Sequence, residues 1–365
     1  MKVVLSGGGT AGHINPALAL AEVLESQGHE VFFAGTPYGV ESRLVPAAGI
    51  PFKAFEASGF DRRHPLTLVK GTFKILRSSG LAKDWLREIE ADVVVCFGGY
   101  VCIPVGYAAE KLGIPVVVHE QNSVMGMANR ELSKKAAAVA LTYDVAGSAV
   151  ADKSKLVVTG NPVRASVFDS TREQGRQMLG IPEDARMLLV FGGSLGARHI
   201  NTALCNLKDR LLAIPDLYIV HITGPKELDT VLADLSLTPE EAKRWQVMGY
   251  QNRMGETMAA ADLVVSRAGA TSLAEISARC IPAILIPFPY ATEDHQTTNA
   301  RSYVAAGAAW MVADKDVEDK FFADGLIDLI ENKETRAAMS RAAAGFETGD
   351  AARKLADVVT NAAKR

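Results

Sequence analysis

Residues 1–13, MKVVLSGGGTAGH, decide the fold of this chain. The apolar run at residues 3–5 predicts a β-strand, and the glycines after it predict a tight turn into a helix at residues 16–27. The run is apolar throughout rather than alternating, which indicates a strand buried on both faces of a parallel sheet. A strand, a glycine turn and a helix are the first part of a βαβ unit.

The same pattern continues along the chain and then begins again. Apolar runs predict further strands at residues 31–34, 92–97, 115–119 and 138–142. A second series has a strand at 187–191, a glycine turn at 192–196, a helix at 197–213, and strands at 218–223, 246–248, 263–266 and 283–287. This alternation predicts an α/β fold with parallel sheets. The turn-rich stretch at residues 159–162 separates two Rossmann-like domains, which we expect at residues 1–160 and 161–341.

The composition supports two cores and restricts the functional classes. The 365 residues are 48% hydrophobic and 22% charged, and the net charge of −3 gives no whole-chain attraction to nucleic acid. The four cysteines form no C-x-x-C pair, so neither a disulfide framework nor a zinc site is indicated. No stretch reaches the ~18 apolar residues of a membrane helix, and a strand at the N-terminus leaves no room for a signal peptide. We therefore expect a cytosolic protein that could lie on a membrane surface.

Glycine-rich turns follow four of the predicted strands, at residues 7–12, 97–100, 192–196 and 266–272. Such turns let the helix N-terminus present N–H donors to an anion, and ligands of α/β sheets bind at the carboxyl ends of the strands. A dinucleotide site also needs an acid at the end of the second strand, and none occurs before Glu41. No D-x-D or P-loop motif is present. The turns therefore predict a diphosphate-bearing ligand held in a cleft, without a metal or another cofactor.

Two residues near these turns have a chemical and a structural interpretation. His13 follows the first glycine turn and is either a general base or a helix-entry residue with a packing role. Glu275 either accepts hydrogen bonds from a ribose diol or forms a capping box with Ser272. The residues by themselves favour the structural interpretation of both.

Other polar groups also follow predicted strands. Residues 119–122, HEQN, end a buried strand, so Glu120 and Asn122 are expected to face a cleft. Arg164 either meets a phosphate or lies on the surface of a hinge. Residues 294–299, DHQTTN, either line a binding site or form a solvated helix start.

A basic amphipathic pattern occupies residues 66–77. An apolar stripe runs beside a basic one at helical spacing, formed by Val69, Phe73 and Leu76 and by Lys70, Lys74 and Arg77. This pattern is typical of helices that lie on anionic lipid, and also of core-facing helices with a solvated basic flank.

The chain resembles the MurG glycosyltransferase family in six motifs that occur in the family's order: residues 7–13, GGGTAGH; 119–122, HEQN; 160–164, GNPVR; 191–197, FGGSLGA; 266–275, SRAGATSLAE; and 294–300, DHQTTNA. The resemblance implies a GT-B fold, with two facing Rossmann-like domains and an interdomain cleft. We expect the terminal helix, about residues 342–365, to pack back on the first domain.

The resemblance also implies an activity: inverting transfer of N-acetylglucosamine from UDP-N-acetylglucosamine to undecaprenyl-pyrophosphoryl-N-acetylmuramoyl-pentapeptide, in peptidoglycan synthesis, without a chelated metal. The implied location is the cytoplasmic face of the cell membrane, beside anionic lipid and other cell-wall synthesis and division proteins. The alternatives are another GT-B transferase with a different acceptor, and a UDP-sugar epimerase or binding protein.

By the same resemblance, each motif has a role. Thr10, Ala11, Gly12 and Asn122 contact the sugar side of the cleft. Glu275 takes the ribose, Gln296 contacts the sugar hydroxyls, and the backbone of Gln251 meets uracil. The nucleotide and diphosphate are held by Arg164, Ser194, Ala270, Thr271, Ser272, Leu273 and Ala274. His13 is the candidate base, and Glu120 is the reserve candidate.

Overall fold

A computed structural model describes residues 1–57, 65–193, 196–346 and 349–364, with the side chains of residues 65–73 and 292 outside the description. The chain divides into two units. Unit 1 comprises Met1–Arg164 and Thr348–Arg365, and unit 2 comprises Ala165–Glu347.

The strands are β1 (Lys2–Ser6), β2 (Glu30–Gly35), β3 (Phe52–Ala54), β4 (Val93–Cys96), β5 (Val116–Glu120), β6 (Ala138–Leu141), β7 (Leu156–Val158), β8 (Arg186–Phe191), β9 (Leu217–Ile222), β10 (Trp245–Met248), β11 (Leu263–Ser266), β12 (Ala283–Leu285) and β13 (Ala309–Met311). The helices are α1 (Ala11–Ser26), α2 (Glu41–Ala47), α3 (Pro65–Glu88), α4 (Cys102–Leu112), α5 (Met127–Ser133), α6 (Ala165–Asp169), α7 (Arg172–Leu179), α8 (Arg198–Asn206), α9 (Lys208–Leu212), α10 (Leu228–Leu235), α11 (Pro239–Ala242), α12 (Met254–Ala260), α13 (Ala270–Ala278), α14 (His295–Ala305), α15 (Lys320–Glu331), α16 (Lys333–Ala343) and α17 (Ala351–Ala363).

The described strands of unit 1 form one parallel sheet in the order β3-β2-β1-β4-β5-β6-β7. Both faces of this sheet are buried: Val3 and Leu5 face one hydrophobic cluster, and Val4 between them faces another. This arrangement explains the unbroken apolar runs and confirms the predicted parallel sheet. The strand order reverses between β1 and β4, which makes this pair the topological switch point of the sheet.

Unit 2 repeats the plan with the described strands in the order β10-β9-β8-β11-β12-β13, again all parallel. Its switch point lies between β8 and β11, where Phe191 is in register with Ser266. The four glycine-rich turns predicted from the sequence therefore follow the four strands of the two switch points. In α/β sheets the carboxyl ends of these strands are where ligands bind.

Some predicted boundaries are wrong for local reasons. Helix α1 begins at Ala11 rather than Pro16, so Pro16 lies inside the helix, where its missing N–H removes one backbone hydrogen bond. The helix predicted at residues 197–213 is two helices that meet at Leu207. Strands β3, β7 and β13 were not predicted, because runs of three residues carry no periodicity.

The end of the chain returns to unit 1. Leu355, Ala356 and Val359 of α17 share a hydrophobic cluster with Ile14 and Leu18 of α1. Burying each large aliphatic side chain there stabilises the fold by about 1.5–3 kcal/mol. Within the described ranges, no helix is long and apolar enough to span a bilayer.

Candidate active site

The switch point of unit 1 is built from two glycine loops in close contact. The N–H of Gly8 donates to the carbonyl of Gly98 at 3.2 Å. Gly98 and Gly99 have φ angles of +116° and +85°, which favour glycine. A Cβ atom at Gly99 would lie 2.5 Å from the carbonyl oxygen of Gly8. Only glycine at residue 99 therefore allows the two loops to meet.

His13 lies in the first turn of α1, beside both loops. Its Nδ1 is 2.9 Å from the carbonyl oxygen of Gly8. Since a carbonyl only accepts hydrogen bonds, a neutral ring must carry its proton on Nδ1 and a lone pair on Nε2. Nε2 lies against Gly98, where an added Cβ atom would be 3.0 Å away. His13 is thus oriented as a hydrogen-bond acceptor at the switch point, as a general base requires.

A buried carboxylate, Glu41, lies under the first glycine loop. It is the first residue of α2 and is fully buried. Its oxygens accept hydrogen bonds from the Thr36 N–H at 3.0 Å, the Thr36 hydroxyl at 2.6 Å and the Gly9 N–H at 3.3 Å. In the sequence, Glu41 is distinguished only by lying too far from β2 to serve as a dinucleotide acid. Its contact with Gly9 spans 32 residues and leaves no periodic signal.

Glu120 shapes the next loop along the sheet. Its Oε1 accepts from the Asn122 N–H at 3.0 Å, and its Oε2 accepts from the Gly126 N–H at 3.0 Å and from Asn129 Nδ2 at 2.9 Å. The Asn122 side chain also donates to Oε1, at 3.3 Å. Because both oxygens are already engaged, the geometry suits Glu120 to positioning the loop from residue 121 to 126 rather than to accepting a proton. Asn129, which sequence analysis missed, completes this arrangement.

Buried His119 connects β5 to the chain near residue 160. Its Nε2 lies 3.1 Å from the carbonyl oxygen of Gly160, and its Nδ1 lies 3.0 Å from Gln121 Nε2. These partners require Nε2 to donate and Nδ1 to accept, so the ring is neutral. Desolvation by burial lowers the pKa of His119 to about 4, although the Gly160 carbonyl acts in the opposite direction.

The switch point of unit 2 begins at the turn after β8. Gly193 and Gly196 have φ angles of +87° and +80°. A Cβ atom at Gly196 would lie 2.1 Å from the carbonyl oxygen of Thr223, which follows β9. The turn is therefore pressed against the neighbouring loop and has to be glycine-rich. Ser194 lies outside the described residues, so its predicted role in holding the nucleotide stays a prediction.

Helix α13 starts directly after β11, at the same switch point. Its N-cap is Gly269, which supplies no side-chain hydrogen bond. Ser272 is the third residue of the helix and not its N-cap, so the predicted capping box of Ser272 with Glu275 is wrong. Glu275 lies in the second turn, and only 8% of its surface is exposed. The predicted ligand-binding segment lies on this first part of α13, and its other members, Ala270, Thr271, Leu273 and Ala274, are buried.

Arg267, which sequence analysis did not select, lies between β11 and α13. Its Nη1 donates to Asp314 at 2.5 Å and to the carbonyls of Ile286 and Pro287 at 3.1 and 3.2 Å. The other oxygen of Asp314 lies 2.9 Å from His199 Nδ1. Burial alone would raise the pKa of Asp314, but the hydrogen bonds from His199 and Arg267 outweigh burial and lower it. A fixed cation thus lies beside the start of α13.

Gln296, in the first turn of α14, is joined to the same loop. Its Oε1 accepts from the N–H groups of Ala268 at 3.2 Å and Phe288 at 2.9 Å. The amide oxygen is therefore occupied, and the side chain presents its NH₂ group as the donor. The segment at residues 294–299 is more than a solvated helix start. Asn299 is buried, and its side chain donates to the Ala268 carbonyl.

Two other predicted ligand-binding residues have their own partners. Gln251 follows β10, and its Oε1 accepts from the Arg253 N–H at 2.9 Å. Arg164 donates from Nε to Glu22 on α1 at 2.9 Å. Thr10, at the start of α1, is exposed, and Ala11 and Gly12 after it are half-buried. In the parts of the chain that the structure covers, no group of three or more His, Cys, Asp or Glu side chains could hold a metal.

The basic amphipathic pattern lies on α3. The side chains of Val69, Lys70 and Phe73 are outside the described set. Leu76 is 62% exposed, so it does not belong to a core-facing stripe. Arg77 is also exposed, and Lys74 lies 3.6 Å from Glu56.

Two family models match the chain: the glycosyltransferase family 28 N-terminal domain over residues 3–141, and the C-terminal domain of the same family over residues 187–355. The fold and these matches define the class of protein, a glycosyltransferase with two Rossmann-like domains of the GT-B type.

Individual relatives narrow this class. A Bacillus cereus protein named UDP-N-acetylglucosamine--N-acetylmuramyl-(pentapeptide) pyrophosphoryl-undecaprenol N-acetylglucosamine transferase 1 is 40% identical over 367 residues, covering 100% of both chains. The crystal structure of Acinetobacter baumannii MurG matches with a TM-score of 0.73 and 29% identity over 99% of both chains. This chain belongs to the MurG family within glycosyltransferase family 28.

A Listeria monocytogenes structure described as a UDP-N-acetylglucosamine 2-epimerase has the same TM-score, 0.73, and covers 99% of this chain and 96% of that one. Its sequence identity is only 15%, so the likeness concerns the fold alone.

Proposed function

We propose that this protein transfers N-acetylglucosamine from UDP-N-acetylglucosamine to the muramoyl sugar of undecaprenyl-pyrophosphoryl-N-acetylmuramoyl-pentapeptide, with inversion at the anomeric carbon. The acceptor hydroxyl forms the new glycosidic bond, a base takes its proton, and the bond to UDP breaks. The proposal rests on one observation in each unit: in unit 1, His13 Nε2 is oriented to accept a hydrogen bond, and in unit 2, α13 begins without a side-chain cap and Glu275 is buried in its second turn. The name of the full-length Bacillus cereus relative supplies the substrates.

The nucleotide part of the donor is assigned mainly to unit 2. Leaving UDP gains negative charge as its bond to the sugar breaks, and a helix N-terminus stabilises such charge. Helix α13 begins at Ala270 without a side-chain cap, and Arg267 adds a fixed cation beside it. Glu275 takes the ribose, the Gln296 NH₂ group donates to a sugar hydroxyl, and the backbone of Gln251 meets uracil. Ser194 of unit 2 contributes to diphosphate binding, and so does Arg164, the last residue of unit 1 before the division, which exchanges Glu22 for phosphate.

The base and the sugar contacts of unit 1 are assigned to its switch point. His13 Nε2 removes the proton from the acceptor hydroxyl. Thr10, Ala11 and Gly12 contact the sugar from the first turn of α1. Asn122 does so from the loop that Glu120 holds, and this makes Glu120 a positioning residue.

The acceptor carries a polyprenyl chain, so the protein has to work at a membrane. We assign the contact to α3, where Leu76 and Arg77 are exposed and Lys74 lies near the surface. Basic and apolar side chains on one helix bind anionic lipid by charge attraction and shallow insertion. The protein would then lie on the cytoplasmic face of the cell membrane, in reach of other proteins of cell-wall synthesis and division.

A product assay tests the reaction. The protein is incubated with UDP-N-acetylglucosamine labelled in the sugar, and with the muramoyl-pentapeptide lipid, a diacylglycerol or a simple glycoside as acceptor. We expect label only in the muramoyl-pentapeptide lipid, as a β-linked product. Label in another lipid would assign a different acceptor, and labelled N-acetylmannosamine, free or linked to UDP and formed without any acceptor, would indicate an epimerase-like reaction instead.

Anionic vesicles test the membrane contact. Binding of the protein is expected to fall as salt rises, because ions screen the basic side chains. The double variant Leu76→Asp, Arg77→Glu should abolish binding while leaving the transfer to a short-chain soluble acceptor intact. Unchanged vesicle binding by the folded variant would exclude this part of α3.

A further inference from the structure

The carboxylate of Glu41 is enclosed in unit 1 and bound by neutral groups. Burying a polar or charged group costs free energy unless hydrogen bonds replace the lost water. Among the described residues, the hydrogen-bond donors to it are the Thr36 N–H, the Thr36 hydroxyl and the Gly9 N–H. Two of the three come from Thr36, close in sequence, but the third comes from the first glycine loop.

Three glycines make room for this carboxylate. A Cβ atom at Gly8 would lie 2.8 Å from Glu41 Oε1, one at Gly39 would lie 2.1 Å from Oε2, and one at Gly35 would lie 2.6 Å from Cγ. None of these glycines has a positive φ, so their absence of a side chain serves the packing and not the backbone conformation. The chain thus keeps space on several sides for one acidic side chain.

A continuous set of contacts joins Glu41 to His13. The carboxylate accepts from the Gly9 N–H and packs against Gly8. The Gly8 carbonyl accepts from His13 Nδ1 at 2.9 Å, and the Gly8 N–H donates to the Gly98 carbonyl at 3.2 Å. The Gly9 N–H and the Gly8 carbonyl belong to the same peptide group. The orientation of this Gly8–Gly9 peptide group therefore determines which nitrogen of a neutral His13 ring carries the proton.

We propose that Glu41 is a positioning residue for His13: it holds the Gly8–Gly9 segment so that the Gly8 carbonyl keeps the proton on Nδ1 and leaves Nε2 as the acceptor. The effect on the ring is independent of the reaction. Its consequence for the rate rests on the proposed function, in which His13 is the base.

The variant Glu41→Gln tests this proposal with little change in volume. A glutamine side chain has one acceptor oxygen. If that oxygen keeps its hydrogen bonds with Thr36, the NH₂ group of the glutamine faces the Gly9 N–H, and two donors cannot form a hydrogen bond. We expect the Gly8 peptide to lose its fixed orientation. Nitrogen NMR of protein labelled in histidine should then show the two ring nitrogens of His13 moving from separate donor and acceptor positions towards an average. The His13 signals are identified by their loss in His13→Gln.

The activity of the same variant provides a second readout. We expect kcat to fall about tenfold, the size expected for the loss of one well-placed hydrogen bond. The affinity for UDP, which lacks the sugar, should stay within about twofold by calorimetry, because the ribose and uracil contacts are assigned to unit 2. The control is Glu110→Gln, the same chemical change on α4 of unit 1, where the carboxylate lies 3.6 Å from Lys135. It should leave the His13 signals and kcat unchanged.

If Glu41→Gln does not fold, Gly39→Ala replaces it, since the added methyl group occupies the position of Oε2 and displaces the carboxylate without removing it. Unchanged His13 signals in a folded variant would overturn the proposal, whatever the rate. Altered signals with an unchanged kcat would support the positioning by Glu41 and overturn the role of His13 as the base.

Discussion

The two units use the same sheet order around their switch points but place different charged side chains beside them. In unit 1 the order β2-β1-β4-β5 brings together loops whose backbone N–H groups donate to two carboxylates, Glu41 and Glu120. In unit 2 the order β9-β8-β11-β12 brings loops together beside Arg267, which Asp314 and two carbonyls hold in place. Both switch points use glycines for close approach, so the glycines alone do not distinguish them.

This difference shows that the fold determines where a ligand binds but not which ligand binds. An ion-paired arginine beside a helix that starts without a side-chain cap suits the diphosphate of a nucleotide, whereas the two carboxylates of unit 1 accept hydrogen bonds from backbone N–H groups of their own loops. The carboxylates of unit 1 suit another task, which is to fix loops and orient a neutral base. Variants of His13 and Glu120 in unit 1 and of Glu275 in unit 2 separate these two tasks.

The largest expected effect concerns His13 in unit 1. His13→Ala should lower kcat about 10²–10⁴-fold, which is the usual contribution of general-base catalysis. Calorimetry should show normal UDP binding, because His13 is assigned to the acceptor hydroxyl and the ribose and uracil contacts are assigned to unit 2. The acidic limb of the pH–rate profile should disappear with the imidazole.

The matching variant on the reserve candidate is Glu120→Gln. If Glu120 positions the loop, this change should lower kcat less than His13→Ala does and keep the acidic limb. A near-normal kcat in His13→Ala, together with a lost acidic limb in Glu120→Gln, would reverse the two assignments.

Sequence predicted the features that depend on local pattern. Buried parallel strands appear as apolar runs such as residues 263–266, whose predicted bounds match β11. The glycine-rich turns were predicted because tight strand-to-helix connections need glycine. Short edge strands such as β3 and β13 were missed, since three residues pair through backbone hydrogen bonds that any side chains allow.

The site was less predictable because its side chains are joined over long sequence distances. Glu41 contacts Gly9, 32 residues away, and Arg267 pairs with Asp314, 47 residues away. Glu275 was favoured as a cap because Ser272 has the correct spacing, but the helix starts two residues earlier, at Ala270. Spacing identifies a possible cap, and only the helix start decides whether it forms.

The next effect concerns acid stability, for which the two units should behave alike. Burial lowers the pKa of His119 in unit 1 and of His221 in unit 2, each from 6.5 to about 4. Because the folded state favours the neutral ring, each histidine contributes stability that is complete above pH 6.5 and is lost as the pH falls towards 4. Each loss amounts to about 3 kcal/mol of unfolding free energy.

Urea unfolding followed between pH 7 and pH 4.5 measures this loss. The fluorescence of Trp85 reports on unit 1, and that of Trp245 and Trp310 reports on unit 2. Unfolding of each unit is therefore followed separately in variants that keep only Trp85, or only Trp245 and Trp310. His119→Gln should flatten the pH dependence of unit 1 without changing that of unit 2, and His221→Gln should do the reverse. The slope is compared rather than the absolute stability, because either variant can also lose hydrogen bonds. An unchanged slope in both variants would show that other groups control acid unfolding.

The smallest expected effect concerns Glu275 in unit 2, and it tests the donor assignment directly. Glu275→Ala should weaken UDP binding by about 1–3 kcal/mol, the usual loss when a charged hydrogen-bond partner is removed. The acid limb that depends on His13 should remain, because the two side chains belong to different units. The thermal stability of Ser272→Ala tests the capping alternative: since Ser272 is the third residue of α13 and not its N-cap, the change should lower stability by less than the ~1 kcal/mol that a lost cap costs. If Ser272→Ala and Glu275→Ala lower stability equally while calorimetry finds normal UDP affinity, Glu275 has a structural role, and the ribose must be held by another group of unit 2.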